Sequence, residues 1–169
     1  MSTVYESSHA LTLLNEWKVF GGHLQQFSHP SSSTTTPMRF SIFLPSSVAP
    51  MKTGKDIASG TLNAQSFSNQ APALVYLSGL TCTDENVCQK AHPFQLANEL
   101  GLILVAPDTS PRGANLEGEE ESYDVGTGAG FYLTATKEPY KGIYNMDTYI
   151  TQELWSLLTS SFPIQSNQV

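Results

Sequence analysis

The chain has 169 residues, 40% hydrophobic and 10% aromatic, enough to bury one core, which excludes wholesale disorder. Its formal net charge of -7 excludes nucleic acid and anionic membrane as main partners, because both require a basic face. Small molecules and proteins are left as partners.

The N-terminal residues carry no positive leader, and the apolar stretch at residues 10–14 is interrupted by Thr12, too short for a signal or membrane segment. Cys82 and Cys88 lie six positions apart with no histidine cluster beside them. Neither a zinc site nor a disulfide framework is expected, and the usage fits a reducing compartment. Asn167, Gln168 and Val169 form no peroxisomal signal, so the expectation is a soluble cytoplasmic protein.

Along the chain, Gly21 and Gly22 precede residues 23–29, where Leu24 and Phe27 are apolar; this segment reads as one strand of a hairpin or meander. Its partner is residues 38–44, with Met38, Phe40, Ile42 and Leu44 on one side and Arg39 and Ser41 on the other, the period of a half-buried strand. Residues 46–70 are rich in Ser, Ala, Gly, Asn and Gln and show neither period, which predicts a surface loop or insertion within a single domain spanning 1–169.

Short apolar runs at 73–77 and 102–106 suit buried parallel strands. Between them Pro93 suits a helix start, Phe94, Ala97 and Leu100 recur at helical spacing, and Gly101 suits the terminus. Strand, helix, strand is a βαβ crossover. A further helix carries Ile150, Leu154, Leu157 and Leu158 as a stripe, with Asn145 or Asp147 available as its cap, and ends near Phe162 and Pro163. The architecture is therefore α/β: antiparallel strands, then βαβ, a glycine-rich loop and another helix.

In open α/β sheets ligands bind beyond the carboxyl ends of the strands. That draws attention to residues 78–86, to 107–113, and to the loop 124–132, whose alternate glycines Gly126, Gly128 and Gly130 let backbone approach a ligand closely. No strand leads directly into those glycines and no helix starts at the third, so nucleotide binding is rejected. Asp108 and Arg112 read as an ion pair or turn cap, or as groups that orient the glycine loop. Glu117, Glu119, Glu120 and Glu121 read as a solvated surface, with no metal. Scanning for glycines two before and two after a serine finds no nucleophile elbow; Ser78 has Tyr76 and Leu80 at those positions.

The segments VYLSGLTCTDEN, APDTSPRG, GEEESYDVGTGAGFY and TATKEPY, together with VFGG, MRFSIFLP and YITQEL, resemble the S-formylglutathione hydrolase family, called esterase D in animals, over roughly residues 17–163. The resemblance implies an α/β-hydrolase fold and a cytosolic serine thioesterase or carboxylesterase. Such enzymes split S-formylglutathione into glutathione and formate in formaldehyde catabolism, with no cofactor. It also implies a Ser, Asp, His triad whose positions lie beyond this chain, so the chain reads as a truncated, incomplete domain that is incompetent alone. An open edge is then expected on the strand at 102–106.

The chain would retain one oxyanion donor, the Leu80 amide, with Gly79, Thr81, Cys82, Gly126, Thr127 and Gly128 about the substrate pocket. The plainer alternative is a tight turn with Gly79 at positive φ. Cys82 is either a thiol near the reaction centre or a small packed residue, and Cys88 is packing. Tyr123 stands where the family commonly has tryptophan, and Val125 where it has phenylalanine. The implied partner is a small glutathione thioester, and a homodimer is left open. A non-catalytic binding or interaction module reusing the fold is the alternative function.

Overall fold

A computed structural model describes residues 11–48, 67 and 69–165. Five strands form one sheet in the order β1-β2-β3-β5-β4: β1 (Thr12–Val19), β2 (Gly22–Pro30), β3 (Pro37–Leu44), β4 (Ala73–Val75) and β5 (Ile103–Pro107). The first three form an antiparallel meander in which Phe27 faces Phe40 and Gln26 faces Ser41. Next comes β5, antiparallel to β3 and parallel to β4. A parallel pair needs a crossover, supplied by α1 (Asn86–Lys90) and α2 (Phe94–Leu100). Chain reversal after α2 uses Gly101 at φ 65, its N–H reaching Ala97 O and Asn98 O, a conformation glycine adopts without Cβ strain.

Strand alternation sorts the core onto two faces. From β3 and β5, Met38, Phe40, Ile42, Leu44, Ile103 and Val105 pack with the C-terminal helical segments, while Phe43, Leu104 and Ala106 pack with Val87, Phe94 and Ala97 of α1 and α2. The C-terminal run comprises α3 (Met146–Thr148), a π-helical segment (Tyr149–Leu154) and α4 (Trp155–Ser161). Leu154, Leu157 and Leu158 are buried as their spacing predicts. Among the described residues no helix is long and apolar enough to cross a membrane.

Several expectations are corrected. Asn145 precedes α3 without capping it through its side chain; its Nδ2 instead donates to Ser33 O at 3.0 Å. Leu100 is 64% exposed, because the short α2 turns only Phe94 and Ala97 inward. The strand β1 was not anticipated, since most of its residues are exposed and no alternation marks it. Most of the loop at 46–70 lies outside the described residues; of it, Phe67 is buried in the core.

The open edge also lies elsewhere than expected. All of β5 is buried between two neighbours, so on this side of the sheet β4 is the edge strand, with Leu74 exposed and Tyr76 and Leu77 exposed just beyond it. At its start Ala71 bridges Ile164 in parallel, with Ala71 N–H on Pro163 O at 2.8 Å and Gln165 N–H on Ala71 O at 3.0 Å. The chain leaving α4 is therefore parallel, at Ile164, to the segment that leads into β4.

Candidate active-site half

After Val75, the Tyr76 N–H donates to Val105 O at 2.7 Å and the chain leaves the sheet. A turn then closes when Cys82 N–H reaches Gly79 O at 3.2 Å. Its third residue, Thr81, carries the positive φ, 63°, at the position where such turns favour glycine. Gly79 does not lie at positive φ, so the plainer expectation for it is overturned. A non-glycine residue held there marks strain maintained by its surroundings.

Those surroundings are the glycine loop. Thr81 N–H donates to Gly128 O at 2.8 Å, and Gly128 N–H donates to buried Ser110 Oγ at 2.7 Å. A Cβ on Gly130 would lie 3.1 Å from Gly79 C and 3.3 Å from Leu80 N; one on Gly126 would overlap the backbone of Glu119. The glycines thus bring two stretches of protein backbone together, Gly79, Leu80 and Thr81 against Gly128 and Gly130, while Gly126 packs on the Glu119 backbone. Among the described residues no acceptor meets the Leu80 N–H, while its neighbours Thr81 and Cys82 are both engaged.

Side chains hold this pair of loops from outside. Arg112 donates from Nε to Asp108 Oδ2 at 2.8 Å and from Nη2 to Asp108 Oδ1 at 2.9 Å, and Nη2 also reaches Cys82 O at 3.1 Å. The hydrogen bonds to Asp108 raise the guanidinium pKa further. Thr109 Oγ1 donates to the same Cys82 carbonyl, and Tyr132 Oη donates to Ser78 O at 2.8 Å. It is thus the carbonyl of Cys82, beside a half-buried thiol, that organises the turn. Cys88 is buried, and burial pushes its thiol up to about 11, in keeping with packing.

Glu119 departs from the solvated surface expected of it. It is buried, accepts from Leu116 N–H at 3.1 Å and Tyr144 Oη at 2.6 Å, and its carbonyl receives Thr127 N–H at 3.2 Å. Its main-chain carbonyl therefore anchors the glycine loop, while its carboxylate is held by Leu116 and Tyr144. Asp84, also buried, accepts from Gln26 Nε2 at 2.9 Å and Ser41 Oγ at 2.8 Å, tying the turn to β2 and β3. Burial is the main reason its pKa is raised. Asp84, Ser110 and Tyr132 lie in loops the sequence singles out, but their roles and that of Glu119 were not signalled, because Gln26 and Ser41, Gly128, Ser78 and Tyr144 are remote partners in the chain.

Behind Gly130 lies a cavity of about 340 Å³ whose lining includes Val125, Ala129, Phe131, Tyr132, Tyr144 and Met146. That is within the range of ligand pockets, at its small end. Of the pocket residues expected, Gly126 lines this cavity; Gly79, Thr81, Cys82, Thr127 and Gly128 do not. Among the described residues no group of three or more His, Cys, Asp or Glu is placed to hold a metal.

The sequence pattern of the family described as Esterase matches residues 31–169. The chain belongs to that esterase family. An S-formylglutathione hydrolase of Mus musculus is 41% identical to it over 160 residues, 95% of this chain and 50% of that protein. One of Arabidopsis thaliana is 42% identical over 152 residues, 90% of this chain and 47% of that protein. A solved S-formylglutathione hydrolase from Agrobacterium tumefaciens superposes with a TM-score of 0.78 at 36% identity, covering 91% of this esterase chain and 49% of its own. A ferulic acid esterase, at 16% identity and TM-score 0.56, shares the fold. The fold is that of an α/β-hydrolase, and the chain spans about half the length of the curated relatives it matches.

Proposed function

We propose that this chain supplies the oxyanion-binding half of an S-formylglutathione hydrolase site, and that the nucleophile, base and orienting acid come from polypeptide outside it. The reaction is hydrolysis of a glutathione thioester to glutathione and formate, in the cytoplasmic removal of formaldehyde. The observation that carries this reading is the Leu80 N–H. It is held on an anchored turn at the end of β4 and has no acceptor among the described residues.

The parallel bridge from Ile164 to Ala71 supports the same reading. A strand laid along that direction for about six residues advances roughly 20 Å, bringing its carboxyl end beside the turn. Serine on a strand-to-helix elbow at that end would place the backbone N–H of the residue that follows it opposite Leu80 N–H, the two-donor arrangement of this superfamily. Gly130 borders both this turn and the cavity, so one arm of the substrate enters beside it. The chain alone, with one donor and no elbow, is inactive in this account.

Leu80 stands second in the turn, the position proline favours, so Leu80→Pro deletes the N–H while preserving the turn. In full-length protein, kcat for S-formylglutathione is expected to fall about 10²- to 10³-fold, the usual cost of one oxyanion donor. Unchanged kcat would overturn the assignment.

A further inference from the structure

We propose that Tyr132 and Arg112 are positioning residues that aim the Leu80 N–H. The inference rests on the function proposed above. A peptide unit is planar, so the Leu80 N–H points opposite the Gly79 carbonyl within one plane; whatever fixes the turn fixes the donor. Cys82 N–H holds Gly79 O from inside the turn. From outside, the Tyr132 hydroxyl holds Ser78 O at 2.8 Å on the entering side, and Arg112 Nη2 holds Cys82 O at 3.1 Å on the leaving side.

Neither anchor is adventitious. Tyr132 adopts φ 50°, a costly conformation for a side chain of its size. Arg112 is set by a two-pronged bond to Asp108, and that fork geometry fixes its direction as a point charge would not. Asp108 in turn donates its backbone N–H to Arg39 O of β3 at 2.9 Å. The donor is thereby referenced to the sheet through the Arg112, Asp108 and Arg39 chain.

The test is a double-mutant cycle in full-length protein using S-formylglutathione. Tyr132→Phe keeps the ring and loses the hydroxyl; Arg112→Lys keeps the charge and loses the fork. Each is expected to lower kcat about tenfold with KM unchanged, because small misplacements of a catalytic group are costly. In the Leu80→Pro background the same substitutions are expected to change kcat by less than about twofold, since the donor they aim is already gone. If Leu80→Pro lowers kcat but Tyr132→Phe and Arg112→Lys cost the same in both backgrounds, or nothing in either, the positioning role is wrong. If Leu80→Pro itself has no effect, the functional assignment fails instead.

Discussion

Two buried carboxylates give opposite pH dependences. Glu153 accepts from Ser31 Oγ at 2.9 Å and from the Ser32 and Ser33 N–H groups at 2.8 Å each. Burial alone would raise its pKa, but these hydrogen bonds, those of Ser33 foremost, outweigh it and hold the group below its ordinary 4.5. The unfolded chain therefore takes up the proton first on acidification. The contribution is complete above about pH 4.5 and is lost as pH falls toward the folded value. Glu153→Gln is expected to speed exchange of the Ser32 and Ser33 amides at neutral pH by roughly tenfold, relative to intrinsic rates, a loss of about 1.4 kcal/mol. Wild type should show that loosening only in acid, and equal protection in both proteins at neutral pH would contradict the role given to the Glu153 hydrogen bonds. For Asp84 the folded pKa is raised above 3.8, chiefly by burial, so its charge costs stability as pH rises. In full-length protein, Asp84→Asn should gain on wild type in urea midpoint from about pH 3 upward; a pH-independent difference would contradict this. Of these residue-level features the sequence showed only the Asp108 and Arg112 pairing, four positions apart. The hold of Arg112 on Cys82 O, and that of Tyr132 on Ser78 O, involve main-chain acceptors that carry no side-chain code.

Periodicity served best where an element is packed on a fixed face. In β3 and β5, alternate residues enter the two core clusters, as period-two patterning requires. The stripe of Leu154, Leu157 and Leu158 is buried for the analogous helical reason. It failed at the margins. Most of β1 is exposed, so no alternation was selected there. At residues 73–77 a continuous apolar run suggested burial, yet Leu74 on β4 and Tyr76 just beyond it lie exposed. Leu157 and Leu100 separate the two cases experimentally, both having been assigned to helical stripes. In full-length protein Leu157→Ala is expected to cost about 2–5 kcal/mol by chemical denaturation, whereas Leu100→Ala, at a position 64% exposed, should stay within about 0.5 kcal/mol. Equal costs would mean that α2 packs its Leu100 face in solution.

At the scale of the molecule, the strands other than β1, the crossover and the α/β class were legible because each follows from short-range pattern and crossover rules, while the position of the open edge depends on strand order, which pairing alone decides. That edge, β4, presents Leu74 to solvent, with Tyr76 and Leu77 exposed just beyond it, and the segment leading into it is bridged in parallel by Ile164. The 169-residue chain by itself is expected to keep its circular dichroism, bind apolar dyes and melt over a broad range. A sharp, reversible transition without dye binding would show an autonomous domain and favour a non-catalytic role. The central claim is that this chain holds the oxyanion donor but not the nucleophile, and labelling with a fluorophosphonate tests it most directly. The 169-residue chain is expected to take up no label and to leave S-formylglutathione intact. The same residues continued by the half that their relatives possess should be labelled at one serine outside residues 1–169, with hydrolysis abolished. Stoichiometric labelling of a serine within these 169 residues, with loss of measurable turnover, would contradict the account.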